Sequence, residues 1–137
     1  MGAWGFDNLE NDTALDWLGD FCRDPNEAKI SDAIAVVTEI GEDYLDADYC
    51  CEALAAAEII AAINGSPNPS LPKDAQETVS RLTWELSKSM IENALQAITM
   101  IKTDSELKEL CEEGGSNLEW WQMLEGLEKR LKTSSIA

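Results

Sequence analysis

Apolar residues recur at helical spacing along nearly the whole chain, and this pattern constrains the fold more than any other feature of the sequence. In the second half, for example, Val79, Leu82, Leu86 and Met90 follow one another at intervals of three or four residues. No segment maintains for long the alternation of apolar and polar residues that a half-buried β-strand requires. The sequence therefore predicts an all-α fold, a compact bundle of about six helices that forms one domain over residues 1–137.

Start and stop signals divide the first half of the chain into three predicted helices. Each follows a short polar side chain that can accept a hydrogen bond from the first turn: Asp12, Asp24 and Asp48. The apolar stripe of the second helix continues to Gly41 and beyond. The third helix is rich in alanine, which lets neighbours approach closely, so we expect it to be central. Asn64 and Gly65 close this helix, because glycine adopts the left-handed conformation without penalty.

Three more helices are predicted after a proline-rich connector at residues 66–72. The first continues without a break, through about seven turns, to Ile101. The second is short and ends at Gly114 and Gly115, and the third has the spacing of a capping box between Ser116 and Glu119. Their predicted starts are Asp74, Asp104 or Ser105, and Ser116.

The N-terminal stretch MGAWGF places Trp4 between two glycines, with Phe6 directly after the second, before the first helix. Gly2 and Gly5 allow the backbone to turn, so Trp4 and Phe6 can fold back onto the helices. We expect an ordered N-terminal segment in which Trp4 and Phe6, together with Trp17 of the first helix, act as structural anchors. The alternative is that Trp4 is an exposed contact for a partner.

The chain is strongly acidic, with 27 acidic and 10 basic residues and a net charge of −17. A nucleic acid is a poor partner for such a chain because its phosphates would be repelled. No run of apolar residues is long enough to cross a membrane, and the first twenty residues carry five carboxylates where a secretory signal needs positive charge. We therefore expect a cytoplasmic protein with neither nucleic acid nor a membrane as partner.

The residue types of the chain argue against a metal site and against a nucleophilic active site. We therefore predict no catalytic residue, cofactor or bound metal. The chain lacks histidine, which excludes a histidine-assisted nucleophile and an HExxH zinc site. An EF-hand loop that started at Asp46 would place Cys50 and Cys51 where a ligand and the turn glycine belong. The four cysteines lack CxxC spacing and are interpreted as reduced thiols in the interior.

The charge is concentrated in the first half of the chain. Residues 1–72 contain 15 acidic and 2 basic residues, a net charge of −13, whereas residues 73–137 contain 12 acidic and 8 basic residues, a net charge of −4. The 43 residues from 30 to 72 contain no lysine or arginine. Six carboxylates in this window form the predicted partner-binding face: Glu39, Glu42, Asp43, Asp46, Asp48 and Glu52. A surface of one sign accelerates association with a partner of the opposite sign.

Two stretches resemble a known family. The sequences GAWGF at residues 2–6 and NDTALDW at 11–17 are similar to the start of the bacterial family called domain of unknown function 4259. The alanine-rich helix ALAAAEIIAAING at 53–65 and SELKEL at 105–110 are similar to later segments of that family. The resemblance implies a small, largely helical protein and, for some members, a place beside toxin systems as protective proteins.

The sequence thus favours a non-enzymatic acidic protein that binds a basic protein, with an immunity or inhibitor protein of a toxin system as one form of that role. Two alternatives remain open. One is an enzyme or metal-dependent protein that uses the carboxylate cluster, and the other is a structural subunit that buries its tryptophans in a homo-oligomer. The sequence leaves the oligomeric state undecided, and a high solubility also accounts for a one-signed surface.

Overall fold

The computed structural model describes residues 12–40, 44–84, 86–113 and 117–132, and these form helices and connecting turns without a β-strand. The predicted all-α class is therefore confirmed. Seven helices are present in the described residues: α1 (Asp12–Arg23), α2 (Glu27–Thr38), α3 (Ala47–Ile63), α4 (Lys73–Arg81), α5 (Lys88–Thr103), α6 (Glu106–Glu113) and α7 (Asn117–Lys132). None of these helices is both long enough and apolar enough to cross a membrane.

Helix α3 is the centre of the bundle, as its alanine content predicts. It contacts each of the other six helices, and 12 of its 17 residues are buried. The helix ends as predicted at Asn64 and Gly65, whose φ of 96° is left-handed. The amide of Gly65 donates to the carbonyl of Ala62, and that of Ser66 donates to Ala61. This pair of bonds is the Schellman arrangement, and it satisfies carbonyls that the helix end leaves free.

The prediction of one continuous helix from Asp74 to Ile101 is wrong. Helix α4 ends at Arg81, Leu82 is extended with a ψ of 138°, and α5 begins only after Ser87. The Oγ of Ser87 accepts a hydrogen bond from the amide of Met90, so it caps the new helix. The interruption lets the ring of Trp84 meet Phe21 of α1 edge to face at 6.0 Å. An aromatic contact and a serine cap together outweigh the apolar periodicity.

Two predicted helix starts and one helix end are also wrong by a few residues. Helix α2 is capped by Asn26, whose Oδ1 accepts from the amide of Ala28 at 2.8 Å, and not by Asp24. It ends at Thr38, earlier than predicted. Helix α3 begins at Ala47, so Asp48 lies inside its first turn instead of capping it. Local sequence signals therefore located these helices but not their exact ends.

Helix α7 closes the bundle with one apolar face, as predicted. Trp120, Leu124, Leu127 and Leu131 are all buried, and the helix contacts α3, α5 and α6. Ser105 caps α6, because its Oγ accepts from the amide of Lys108 at 3.1 Å. This result decides between the two predicted caps. The predicted capping serine of α7, Ser116, lies outside the described residues.

Candidate functional site

The start of α3 brings together three of the six residues of the predicted acidic face. Asp46 immediately precedes the helix, and its exposed carboxylate makes no capping hydrogen bond. Asp48 and Glu52 lie one turn apart on the helix. The Oδ1 of Asp48 accepts a hydrogen bond from the hydroxyl of Thr13 at 3.2 Å, which connects this end of α3 to α1. The carboxylates of the first turn therefore face solvent beside α1.

Glu52 lies deeper than its two neighbours and is half-buried. Burial raises the pKa of the Glu52 carboxyl above its ordinary value, and the negative charge of Asp48 raises that pKa further. Both effects disfavour the ionised form, because a carboxylate loses water and faces a like charge. Negative charge is consequently crowded along this side of α3.

Of the other three residues of the predicted face, the structure describes only Glu39. Glu39 is the exposed residue that follows the last turn of α2, and its backbone amide donates to the carbonyl of Ala35. Its side chain lines a shallow depression of about 410 Å³ on the outer side of α2. Glu42 and Asp43 lie outside the described residues. The described part of the face therefore comprises the end of α2 and the start of α3.

Helix α6 adds two carboxylates that the sequence analysis missed. The Oε1 of Glu106 accepts from the backbone amide of Ala47 at 2.8 Å, and the amide of Glu106 donates to the carbonyl of Leu45. Glu106 thus caps α3 from another helix, where negative charge is favoured by the helix dipole. The signal in the sequence was the pair of glutamates in SELKEL, but nothing local shows which helix they cap.

The second carboxylate is that of Glu109. It binds Tyr44, the only described residue between α2 and α3 that has a large exposed ring. The hydroxyl of Tyr44 donates to the Oε1 of Glu109 at 2.8 Å, and 56% of Tyr44 is exposed. This hydrogen bond raises the pKa of Tyr44 to about 12, and the nearby carboxylates Glu106 and Asp104 act in the same direction. The phenol stays protonated and holds its ring beside the acidic residues.

The thiols near this corner are poorly suited to chemistry. Cys50 and Cys51 are buried, and Cys22 and Cys111 are half-buried, all as free thiols. Burial raises the pKa of Cys50 and of Cys51 to about 12, and that of Cys111 to about 11. Because the thiolate is the nucleophile and metal ligand, the raised pKa values of Cys50, Cys51 and Cys111 keep these three side chains in the less reactive thiol form at neutral pH. In the described part of the chain, no group of three or more carboxylates and thiols is arranged to hold a metal ion.

A buried ion pair between α3 and α7 was not predicted. Glu58 is completely buried, and its two oxygens accept from the guanidinium of Arg130 at 2.8 and 3.2 Å. Asn68 Nδ2 donates to Glu58 Oε2 at 3.2 Å, and Arg130 also donates to the carbonyl of Ser66. A buried carboxylate needs this complete set of partners to offset its lost hydration. The cluster therefore ties α7 to the centre of the bundle and serves structure.

A groove of about 450 Å³ lies between α1 and α4. Leu18 and Ala75 lie in its buried lining, and Arg23 and Arg81 are matched in number by the carboxylates of α4: Asp74 and Glu77. Arg23 already pairs with Asp20 of its own helix at 3.1 Å. The charges around the groove balance, so it selects neither an anionic nor a cationic ligand.

One of the three predicted anchors lies in the described residues. The half-buried ring of Trp17 stacks on Phe21 at 5.5 Å with an interplanar angle of 10°, and it packs against the core. Trp4 and Phe6 lie outside the described residues.

Residues 2–123 match the family described as domain of unknown function (DUF4259). The chain belongs to this family. No curated protein and no solved structure matches the chain. Leu127 and Leu131, which belong to the buried core, lie beyond the matched residues, and so does Arg130, which pairs with the buried Glu58.

Proposed function

We propose that this protein binds a basic protein through the acidic surface formed by the end of α2 and the start of α3. The observation that carries the proposal is the window of residues 30–72, which contains eight acidic residues and no lysine or arginine. Glu39 and Asp46, which lie in this window, are exposed, and neither forms an ion pair with another described residue. Their charges are available to a partner.

The surrounding contacts support binding more than chemistry. Glu106 accepts a hydrogen bond from the amide of Ala47, and Glu109 accepts one from the hydroxyl of Tyr44. Both glutamates therefore stabilise the structure of this surface. Tyr44 is exposed at this corner, and tyrosine is enriched in protein interfaces. The thiols Cys50 and Cys51 have high pKa values, which argues against their use as nucleophiles or ligands. We further propose that the partner is a toxin that this protein neutralises as an immunity or inhibitor protein.

The test begins with capture of partners from the source cells, followed by association kinetics with each captured protein. We expect a basic partner whose association rate falls as salt rises, because salt screens the attraction between opposite charges. The double variant Glu39→Lys/Asp46→Lys should associate at least about tenfold more slowly at low ionic strength and should lose most of the salt dependence.

The matched control is Glu92→Lys/Glu125→Lys, which changes the net charge equally but alters exposed positions on α5 and α7. It should slow association much less, because steering depends on charge near the contact. Equal slowing by the two double variants would show that only the total charge matters, and capture of no basic protein would remove the proposal.

A further inference from the structure

One face of α2 combines apolar and acidic residues, and no residue of another described helix lines the depression on this face. Asp32, Ala35, Val36, Glu39 and Ile40 line the shallow depression of about 410 Å³. Their spacing of three and four residues places them on one side of the helix, and we call this side the outer face of α2. The helix packs against α3 and α5 with a different side, formed by buried residues: Ile30, Ala33, Ile34 and Val37.

The outer face has an apolar centre and acidic margins. Val36 is 39% exposed, and the half-buried Ala35 and Ile40 adjoin it in the same depression. Asp32 and Glu39 are both exposed and are separated by seven residues, which corresponds to about 10 Å along the helix axis. A valine flanked in this way by carboxylates is suited to a partner that carries apolar and basic groups together.

We infer that the outer face of α2 binds a cationic amphipathic helix of the basic partner, and this inference rests on the proposed function. Two packed helices approach to about 8–10 Å, so an apolar ridge of the partner would cover Val36 and Ile40. Lysine or arginine side chains on either side of that ridge would reach Asp32 and Glu39. Charge complementarity selects this occupant, since neither Asp32 nor Glu39 forms an ion pair with another described residue.

The test uses two synthetic peptides of about 15 residues with equal positive charge. One has leucines on one helical face and lysines on the other, and the second has serine in place of leucine. We expect the amphipathic peptide to bind the full chain at least about tenfold more tightly in fluorescence anisotropy titrations. Val36→Ser should weaken binding of this peptide about fivefold and leave binding of the serine peptide unchanged. Asp32→Lys/Glu39→Lys should weaken both.

Leu118→Ser is the matched control, because Leu118 is a leucine of α7 that is 67% exposed and lies on another element. It should not change binding of either peptide. Circular dichroism reports whether each variant is folded, and Val36→Thr, which keeps the branched shape, replaces Val36→Ser if that variant unfolds.

The outcomes separate this inference from the proposed function. Equal affinities for the two peptides, or equal losses for Val36→Ser and Leu118→Ser, would overturn the inference, and salt-sensitive binding of both would leave the proposed function standing. If neither peptide binds the wild type at low salt, the inference fails, and the capture experiment decides the proposed function separately. A wild-type dimer in sedimentation that Val36→Ser converts to monomer would identify a second copy as the occupant and would also overturn the inference.

Discussion

The two ends of α3 differ in whether their carboxylates are exposed to solvent or buried. At the start of the helix, Asp46 and Asp48 are exposed, and Glu52 is half-buried beside a like charge. In the second half, Glu58 is completely buried and is held by Arg130 and Asn68. An exposed carboxylate keeps its hydration, whereas a buried one must replace it with protein groups. The carboxylates at the exposed end of α3 are therefore available for binding, whereas the buried carboxylate of the other end contributes to stability.

Deletion of the chain after Met123 should have the largest effect on this comparison. The deletion removes Arg130 together with the buried leucines of α7: Leu124, Leu127 and Leu131. Loss of a buried leucine costs about 2–5 kcal/mol, and loss of one partner of a buried ion pair costs about 3–5 kcal/mol. For three leucines and one ion pair the sum is about 9–20 kcal/mol, which is comparable to or larger than the usual stability of a domain, about 5–15 kcal/mol, so the truncated chain should not fold. Thermal unfolding followed by circular dichroism measures this. Truncation after Lys132 is the control, and a cooperative transition in the shorter chain would refute the structural role of α7.

Arg130→Met should have the next largest effect, because it leaves Glu58 buried without its main partner. We expect the free energy of unfolding to fall by about 3–5 kcal/mol in denaturant titrations. Glu58→Gln in the same chain should restore part of the loss, since an amide is cheaper to bury and can still bond to Asn68. Lys132→Met removes an exposed cation of the same helix and should change little. Similar losses for the two methionine variants would contradict the contrast between the ends of α3.

Glu52→Gln tests the effect of the like charges that lie close together at the exposed start of α3. Burial and Asp48 raise the pKa of Glu52 in the folded state above its ordinary value of 4.5. Between these two pKa values the folded chain binds more protons than the unfolded chain, so ionisation of Glu52 lowers stability as pH rises. The variant should therefore be more stable than the wild type at pH 7, by less than about 1 kcal/mol, and the gain should disappear below about pH 4. Unfolding titrations at several pH values measure the difference, and a loss of stability at pH 7 would show that the carboxylate is a stabilising group.

Glu39→Gln and Asp46→Asn should have the smallest effects on stability. Both side chains are exposed, and the carboxylate of Asp46 makes no capping bond with α3. Each variant should stay within about 0.5 kcal/mol of the wild type in denaturant titrations, as surface substitutions usually do. A cost comparable to that of Arg130→Met would show that the acidic corner is also committed to stability.

The sequence predicted the helices best where their signals are local. The alanine-rich centre, the closure at Asn64 and Gly65 and the apolar face of α7 all depend on residues close together in the chain. The break after Arg81 was missed, because the apolar period continues across it. There the contact of Trp84 with Phe21 on a distant helix outweighs the local pattern.

The candidate site was predicted only in part, for the same reason. Asp48 and Glu52 are four positions apart on α3, so their proximity follows from helical geometry, and Asp46 directly precedes the helix. The capping of Ala47 by Glu106 joins residues 59 positions apart, and the hydrogen bond of Tyr44 to Glu109 joins residues 65 apart. Periodicity contains no information about such pairs, because they depend on how helices cross.

By itself, the sequence determined the helical class, the central position of α3 and the excess of negative charge in the first half of the chain. These properties depend on periodicity, residue size and composition, which act locally or add up along the chain. Tertiary structure alone decided which carboxylate is buried. Glu58 and Glu52 are both glutamates of α3, yet Arg130 reaches Glu58 across 72 residues. A carboxylate stays ionised in the interior only where the fold places a partner beside it. For Glu58 that partner is Arg130, whose position depends on the packing of α7 against α3.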